Sequence, residues 1–187
     1  KCSVWGTTTS LRKRAKAVAP EGWKISKINI ALGYQQNTTK MISRKEPDER
    51  ARKALTYIRT AAKLAVLKDQ RLDVCEVAGI RRLVYGVGVS LPSPALLDEI
   101  RTAIIKTSWS EQRQMASPFL IMAFPLKAHR ADPASSCWYE VLRNARTTLK
   151  HDERARGLFT RIWEADEDRI PGPVFTMKEV AKNLGGN

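Results

Sequence analysis

From Ser43 to the end of the chain, apolar residues recur at steps of three and four. This spacing constrains the fold more than any other feature, because it closes an apolar stripe along a helix of 3.6 residues per turn and cannot line one face of a strand. The clearest case predicts a helix from Pro47 to about Leu67, with Ala51, Leu55, Ile58, Ala62 and Ala65 facing inward. Ser43 and Glu46 stand at capping-box spacing, and Pro47 suits a first helical turn. Arg52, Arg59 and Lys63 follow one another by seven and four residues. They therefore share a second stripe, roughly 80–100° from the apolar one at about 100° per residue.

The pattern continues downstream. Asp69 can cap a helix over about 70–85 that is apolar most of the way round, which predicts burial between neighbours. Gly86 and Gly88 break it. Ser93 and Pro94 open a third helix, which carries Asp98 and Glu99 early, an inner face of Leu96, Leu97, Ile100, Ile104 and Ile105, and an end near Trp109. Residues 110–131 are looser. Asp132 and Pro133 open a helix to about Lys150, and a shorter one covers Glu153 to Trp163. The acidic run Glu164 to Asp168 reads as a loop, Pro171 to Pro173 as a stop, and Thr176 with Glu179 as the capping box of a last helix ended by Gly185 and Gly186.

Before Ser43 the periodicity is that of strands. Cys2 to Trp5 is a short β-prone run, followed by a turn and the basic segment Leu11 to Lys16. Pro20 to Gly22 marks a second turn. Trp23 to Ile30 alternates as one strand and runs into Ala31-Leu32-Gly33-Tyr34. The expected class is α+β and predominantly α-helical, with a short N-terminal β hairpin, a three-helix bundle and further helices. The boundaries fall at 1–43, 44–110 and 111–187.

Charge narrows the partners. The chain has 33 Lys and Arg against 19 Asp and Glu, a net of +14. Residues 1–91 hold 19 basic and 7 acidic residues, whereas residues 92–187 hold 14 and 12. An excess concentrated in one half favours a polyanionic partner, nucleic acid before membrane. No apolar window is long enough for a transmembrane helix, and no secretory signal pattern opens the chain, which begins without Met as a processed chain or fragment would. Cys2, Cys75 and Cys137 are odd in number and widely spaced, with no Cys-x-x-Cys, so neither a disulfide framework nor a zinc knuckle is expected and a reducing intracellular compartment is the simplest setting. His129 and His151 have no partner at ligand spacing. The sequence has no Gly-x-Ser-x-Gly and no Walker loop, and its only dense carboxylates are those of Glu164 to Asp168.

The N-terminal residues carry a resemblance. Lys1-Cys2-Ser3-Val4-Trp5 resembles the strand that begins at the motif D lysine of reverse transcriptases, and Ile30-Ala31-Leu32-Gly33-Tyr34 is similar to motif E, the primer grip. The basic-and-apolar helix from Pro47, the helix ending at Tyr85-Gly86 and the helix opening near Pro94 look, in that order, like the three-helix thumb of non-LTR retrotransposon enzymes. The resemblance spans about residues 1–110. It implies that Lys1 lies near the incoming triphosphate, and that the backbone of Leu32 and Gly33 and the ring of Tyr34 abut the primer strand. It further implies that Arg52, Arg59 and Lys63 hold the phosphates of a template–primer duplex, RNA, RNA–DNA or DNA, and that Lys45, with the other cations flanking the Leu32-Gly33-Tyr34 turn, supports the primer strand. The family's metal-binding aspartates include a Tyr-x-Asp-Asp turn, and this sequence has no Asp-Asp pair. In the family's order that turn precedes Lys1. Mg²⁺ is thus expected of a parent RNA-directed DNA polymerase and no cofactor of this segment, which should be inactive without an upstream palm and fingers region. The alternative is a stand-alone basic helical module that binds RNA, DNA or an acidic protein.

Overall fold

A computed structural model of the chain describes residues 3–5, 9–20, 24–26, 28–31, 34–37, 44–108, 132–164 and 172–185. The expected cap Ser43, His129, the stretch 110–131 and most of the acidic run after Glu164 lie outside them. The structure is predominantly helical, which corrects the α+β expectation. Strands β1 (Ser3–Trp5), β2 (Lys24–Ser26), β3 (Ile28–Ala31) and β4 (Tyr34–Asn37) are three or four residues long and pair only in twos. β1 runs parallel to β2, with Val4 opposite Ile25; β3 runs antiparallel to β4, with Ala31 opposite Tyr34. Ladders this short form no β layer on which a core can rest. The buried hydrophobic side chains of the helical part lie on its helices or, as Val87 and Leu91 do, in the connection between two of them. Two local readings change as well. The single strand expected over 23–30 is divided between two ladders, and the basic segment belongs to helix α1 (Thr9–Val18).

The chain divides into two compact units. The larger comprises Arg44–Val87 and Leu91–Arg143. Its frame is α2 (Lys45–Ala61), a second segment in three parts, and α5 (Pro94–Ser108). The second segment runs through α3 (Lys68–Val74), a π-helical stretch (Cys75–Ile80) and α4 (Arg81–Val84). Ala51, Ala54, Leu55, Ile58 and Ala61 of α2 pack with Leu72, Cys75, Ile80 and Leu83, and with Leu97, Ile100 and Ile104 of α5. Each large aliphatic side chain buried there contributes about 1.5–3 kcal/mol.

The π-helical stretch has a packing cause. The stretch buries both Gly79, four residues after Cys75, and Ile80, five after it. An α-helix would carry only the first onto the seam, and the wider π turn brings Ile80 in as well. Gly79 sits within it, where an added Cβ would stand 2.6 Å from Ile58 Cγ1 and 2.9 Å from Ile58 Cδ1. The segment is not buried all round, as its composition suggested, because Val77 is 69% exposed. It ends at Gly86, whose φ of 78° is a conformation few side chains tolerate.

Helix boundaries follow local chemistry only in part. α2 begins after Arg44 with no side-chain cap and ends at Ala61, six residues before the expected Leu67. The expected inward residues Ala62 and Ala65 lie beyond that end and are exposed. α3 starts at Lys68, and Gln70, rather than Asp69, closes its first turn by accepting from the Leu67 amide at 3.1 Å. α5 begins at Pro94 as expected, and the Ser93 amide donates to Asp48 Oδ1 at 2.8 Å, tying its start to the first turn of α2. α6 (Pro133–His151) is capped by Asp132, which accepts from the Ser135 amide at 2.8 Å. Its first half adds Ala134, Cys137 and Val141 to the core of this unit.

The second unit comprises Lys1–Ser43, Gly88–Ser90 and Asn144–Asn187. Besides α1 and the ladders it holds α7 (Glu153–Glu164) and α8 (Pro173–Asn183). Asp152 accepts from the Ala155 amide at 2.9 Å and so opens α7. Phe159 and Trp163 stack with centroids 5.3 Å apart, and Lys178 Nζ lies 5.9 Å from the Trp163 ring. α8 starts three residues before the expected capping box. Thr176 is buried inside it and donates to the carbonyls of Val89 and Gly172 at 3.0 Å each, so it anchors α8 rather than capping it.

Candidate nucleic-acid interface

The site proposed from sequence lies mainly on α2. Apolar residues on one side of this helix are drawn into the core, which turns the opposite side to solvent. Lys45, Arg52 and Arg59 succeed one another every seven residues, so two helical turns bring each nearly over the last. All three are exposed, and so is Lys63, which sits in the turn after Ala61 rather than on the helix. From Lys45 to Arg59 the line is about 21 Å long at 1.5 Å per residue.

The cations of this line are not equivalent. Arg59 Nη2 is bound to Glu99 Oε1 at 2.7 Å, with both side chains about half exposed. Its charge is therefore partly met from α5. Arg50 is also in α2, but its position relative to the core turns it inward. It is 9% exposed, and its guanidinium carbon stands 5.9 Å from the Tyr85 ring centre.

The remaining expected positions are not on α2. Lys1, Leu32 and Gly33 lie outside the described residues, and Tyr34 is the first residue of β4 in the other unit. The structure thus brings Lys45, Arg52, Arg59 and Lys63 together and supplies no geometry for Lys1, Leu32 and Gly33.

A cationic and aromatic group outside the basic stripe lies on another side of α2. Arg82 of α4 holds its guanidinium carbon 4.4 Å from the Tyr57 ring centre and donates from Nη1 to the Tyr57 hydroxyl at 3.2 Å. Tyr57 is 44% exposed and Tyr85 is 49% exposed. In the sequence, Tyr57 at a polar position of the helix was the available signal. Its partner, 25 residues away, has no local signature.

A cleft of about 650 Å³ is lined by Glu76, Arg81, Ser135, Tyr139, Glu140 and Arg143, among others. Its two carboxylates are largely covered and already matched by cations. Glu140 Oε1 is 2.7 Å from Arg143, and Glu76 Oε1 is 3.8 Å from Arg81. Among the described residues no group of three His, Cys, Asp or Glu side chains could hold a metal ion. No helix among them is long and apolar enough to cross a membrane. The thiols of Cys75 and Cys137 are buried, and burial pushes them up to about 11 and about 12, values at which neither is a nucleophile near neutral pH.

A scan against protein-family models, a search of curated proteins and a search of solved structures each gave no match.

Proposed function

We propose that this chain is the template–primer-binding part of a reverse transcriptase of the non-LTR retrotransposon type, with α2, the broken second segment and α5 acting as its thumb. The supporting observation is the exposed line of Lys45, Arg52 and Arg59, with exposed Lys63 in the turn that follows, on a helix whose other side is locked into a three-element core. A helix held by its apolar side presents its cations at fixed intervals. Backbone phosphates, which repeat at fixed intervals, are the natural complement. Contacts of this kind position a duplex without reading its sequence. The motif D lysine, Lys1, and the primer-grip residues Leu32, Gly33 and Tyr34 belong to the same proposal. In it, Mg²⁺ is held by the family's palm aspartates, whose Asp-Asp pair does not occur among these residues.

The test is equilibrium binding of a labelled RNA–DNA duplex across a range of salt. We expect binding that weakens steeply with salt and is indifferent to sequence. A flat salt response, or competition by polyglutamate but not by unlabelled duplex, would instead assign the line to an acidic protein partner.

A further inference from the structure

Resting on the duplex-binding reading above, a second feature of the same unit specifies what else that surface takes. Along the seam between α2 and α4, two tyrosines half-exposed to solvent are each set against a guanidinium: Tyr57 against Arg82, and Tyr85 against Arg50. In sequence, Arg50 and Tyr57 are two turns apart on α2, while Arg82 and Tyr85 are three residues apart across the end of α4. Both pairs thus join α2 to the α4 end, and the backbone positions of Arg50 and Tyr57 are about 10 Å apart by the rise of α2. Lys53, also exposed, lies between Arg50 and Tyr57 on that side of α2.

We propose that this seam binds single-stranded nucleic acid, the unpaired template or primer next to a duplex, with Tyr57 and Tyr85 stacking bases and Arg82 and Lys53 meeting phosphates. Two physical features favour that ligand. Tyrosine rings offer a π face to any base, so stacking is tolerant of sequence, and unpaired bases alone have faces to offer. Arg82 lies over the Tyr57 ring and is tied to its hydroxyl, which fixes the guanidinium before any ligand arrives and lowers the ordering cost of a phosphate contact. The line of Lys45, Arg52 and Arg59 carries no aromatic side chain, so the two surfaces divide the work between paired and unpaired strands.

The experiment compares a blunt RNA–DNA duplex, the same duplex with a ten-nucleotide overhang, and the single strand alone, by fluorescence anisotropy with the full chain. We expect the overhang to bind about tenfold tighter than the blunt duplex, the gain from roughly one stacked base. The variant Tyr57→Leu/Tyr85→Leu keeps apolar bulk and should bring the ratio near one while leaving blunt-duplex affinity in place. Arg82→Gln, at an exposed position, should lower the ratio without affecting the fold. Equal binding of blunt and overhang duplex by the natural chain, or an unchanged ratio in the tyrosine variant with unaltered circular dichroism, overturns the seam and leaves the duplex reading standing. Tight single-strand binding without duplex binding keeps the seam and removes the duplex reading. Binding of none of the three probes removes both.

Discussion

Asp132 accepts a 2.7 Å hydrogen bond from Arg101 Nε on one carboxylate oxygen and a 2.8 Å bond from the Ser135 amide on the other. One side chain thereby caps α6 and fastens it to α5. Arg101 also reaches Asp98 at 2.7 Å, so its guanidinium is held between two acids.

Asp132→Ala removes both functions and leaves a part-buried arginine with one partner fewer. We expect a loss of about 2 kcal/mol, the sum of a cap and a sheltered charged hydrogen bond. Urea denaturation checks this. A change within about 0.5 kcal/mol, typical of an open surface site, would show that the contact does not hold the helices together.

The same pair sets a pH dependence. Burial raises the Asp132 pKa, but the hydrogen bonds from Arg101 and Ser135 and the Arg101 charge outweigh burial and hold it below the ordinary carboxylate value. A carboxyl whose folded pKa is lowered stabilises the protein fully above its unfolded pKa, about 3.9, and loses that contribution as pH falls toward the folded value. Between pH 5 and pH 3, Asp132→Asn should therefore lose less stability than the natural chain. Parallel curves would place the acid sensitivity elsewhere.

Gly79→Ala puts a methyl group 2.6 Å from Ile58 Cγ1 at the crossing of α2 and the π-helical stretch. Overpacking of this kind costs about 1–3 kcal/mol. Ile58→Ala removes the opposing atoms, so the double variant should lose less than the two single losses together. Strict additivity in thermal melts would mean that the two residues do not share a tight contact.

Lys45→Glu/Arg52→Glu/Lys63→Glu changes three exposed cations and no packed side chain. Helicity by circular dichroism should be unchanged. The plot of log affinity against log salt should become shallower by about 2–3, close to one phosphate contact per residue. Arg59 is left out because its bond to Glu99 couples it to α5. An unchanged slope would exclude this line from the interface.

Cys75 and Cys137 should resist a thiol reagent at pH 8 in the folded chain and react fully in denaturant, read by site-resolved mass spectrometry. Their raised values also mean that the folded state favours the neutral thiol. That stability is complete below the unfolded value of about 8.5 and declines as pH rises toward the folded ones. Rapid labelling of native Cys137 would show that its surroundings open readily.

Features closed within one turn were legible in the sequence. Pro94 opens α5, Asp132 caps α6, and the helix from Glu153 starts where its residues indicate, because each depends on groups no more than three positions apart. Thr176 was misplaced for the complementary reason. Its hydroxyl has a distant acceptor, Val89, which no local pattern announces. The π turn was equally invisible, since the step of five from Cys75 to Ile80 acquires meaning only against Ile58.

The sequence by itself determined that helices dominate the described residues beyond Arg44 and that Arg52 and Arg59 share one line, since helical periodicity assigns each residue an angle before any neighbour is present. Tertiary packing decided which of these angles faces water. It turned Arg50 toward Tyr85 and left Arg52 outside, joined Arg59 to Glu99, and set Arg82 on Tyr57. Angles along a helix are a property of the local backbone, whereas burial depends on what the rest of the chain brings to each side.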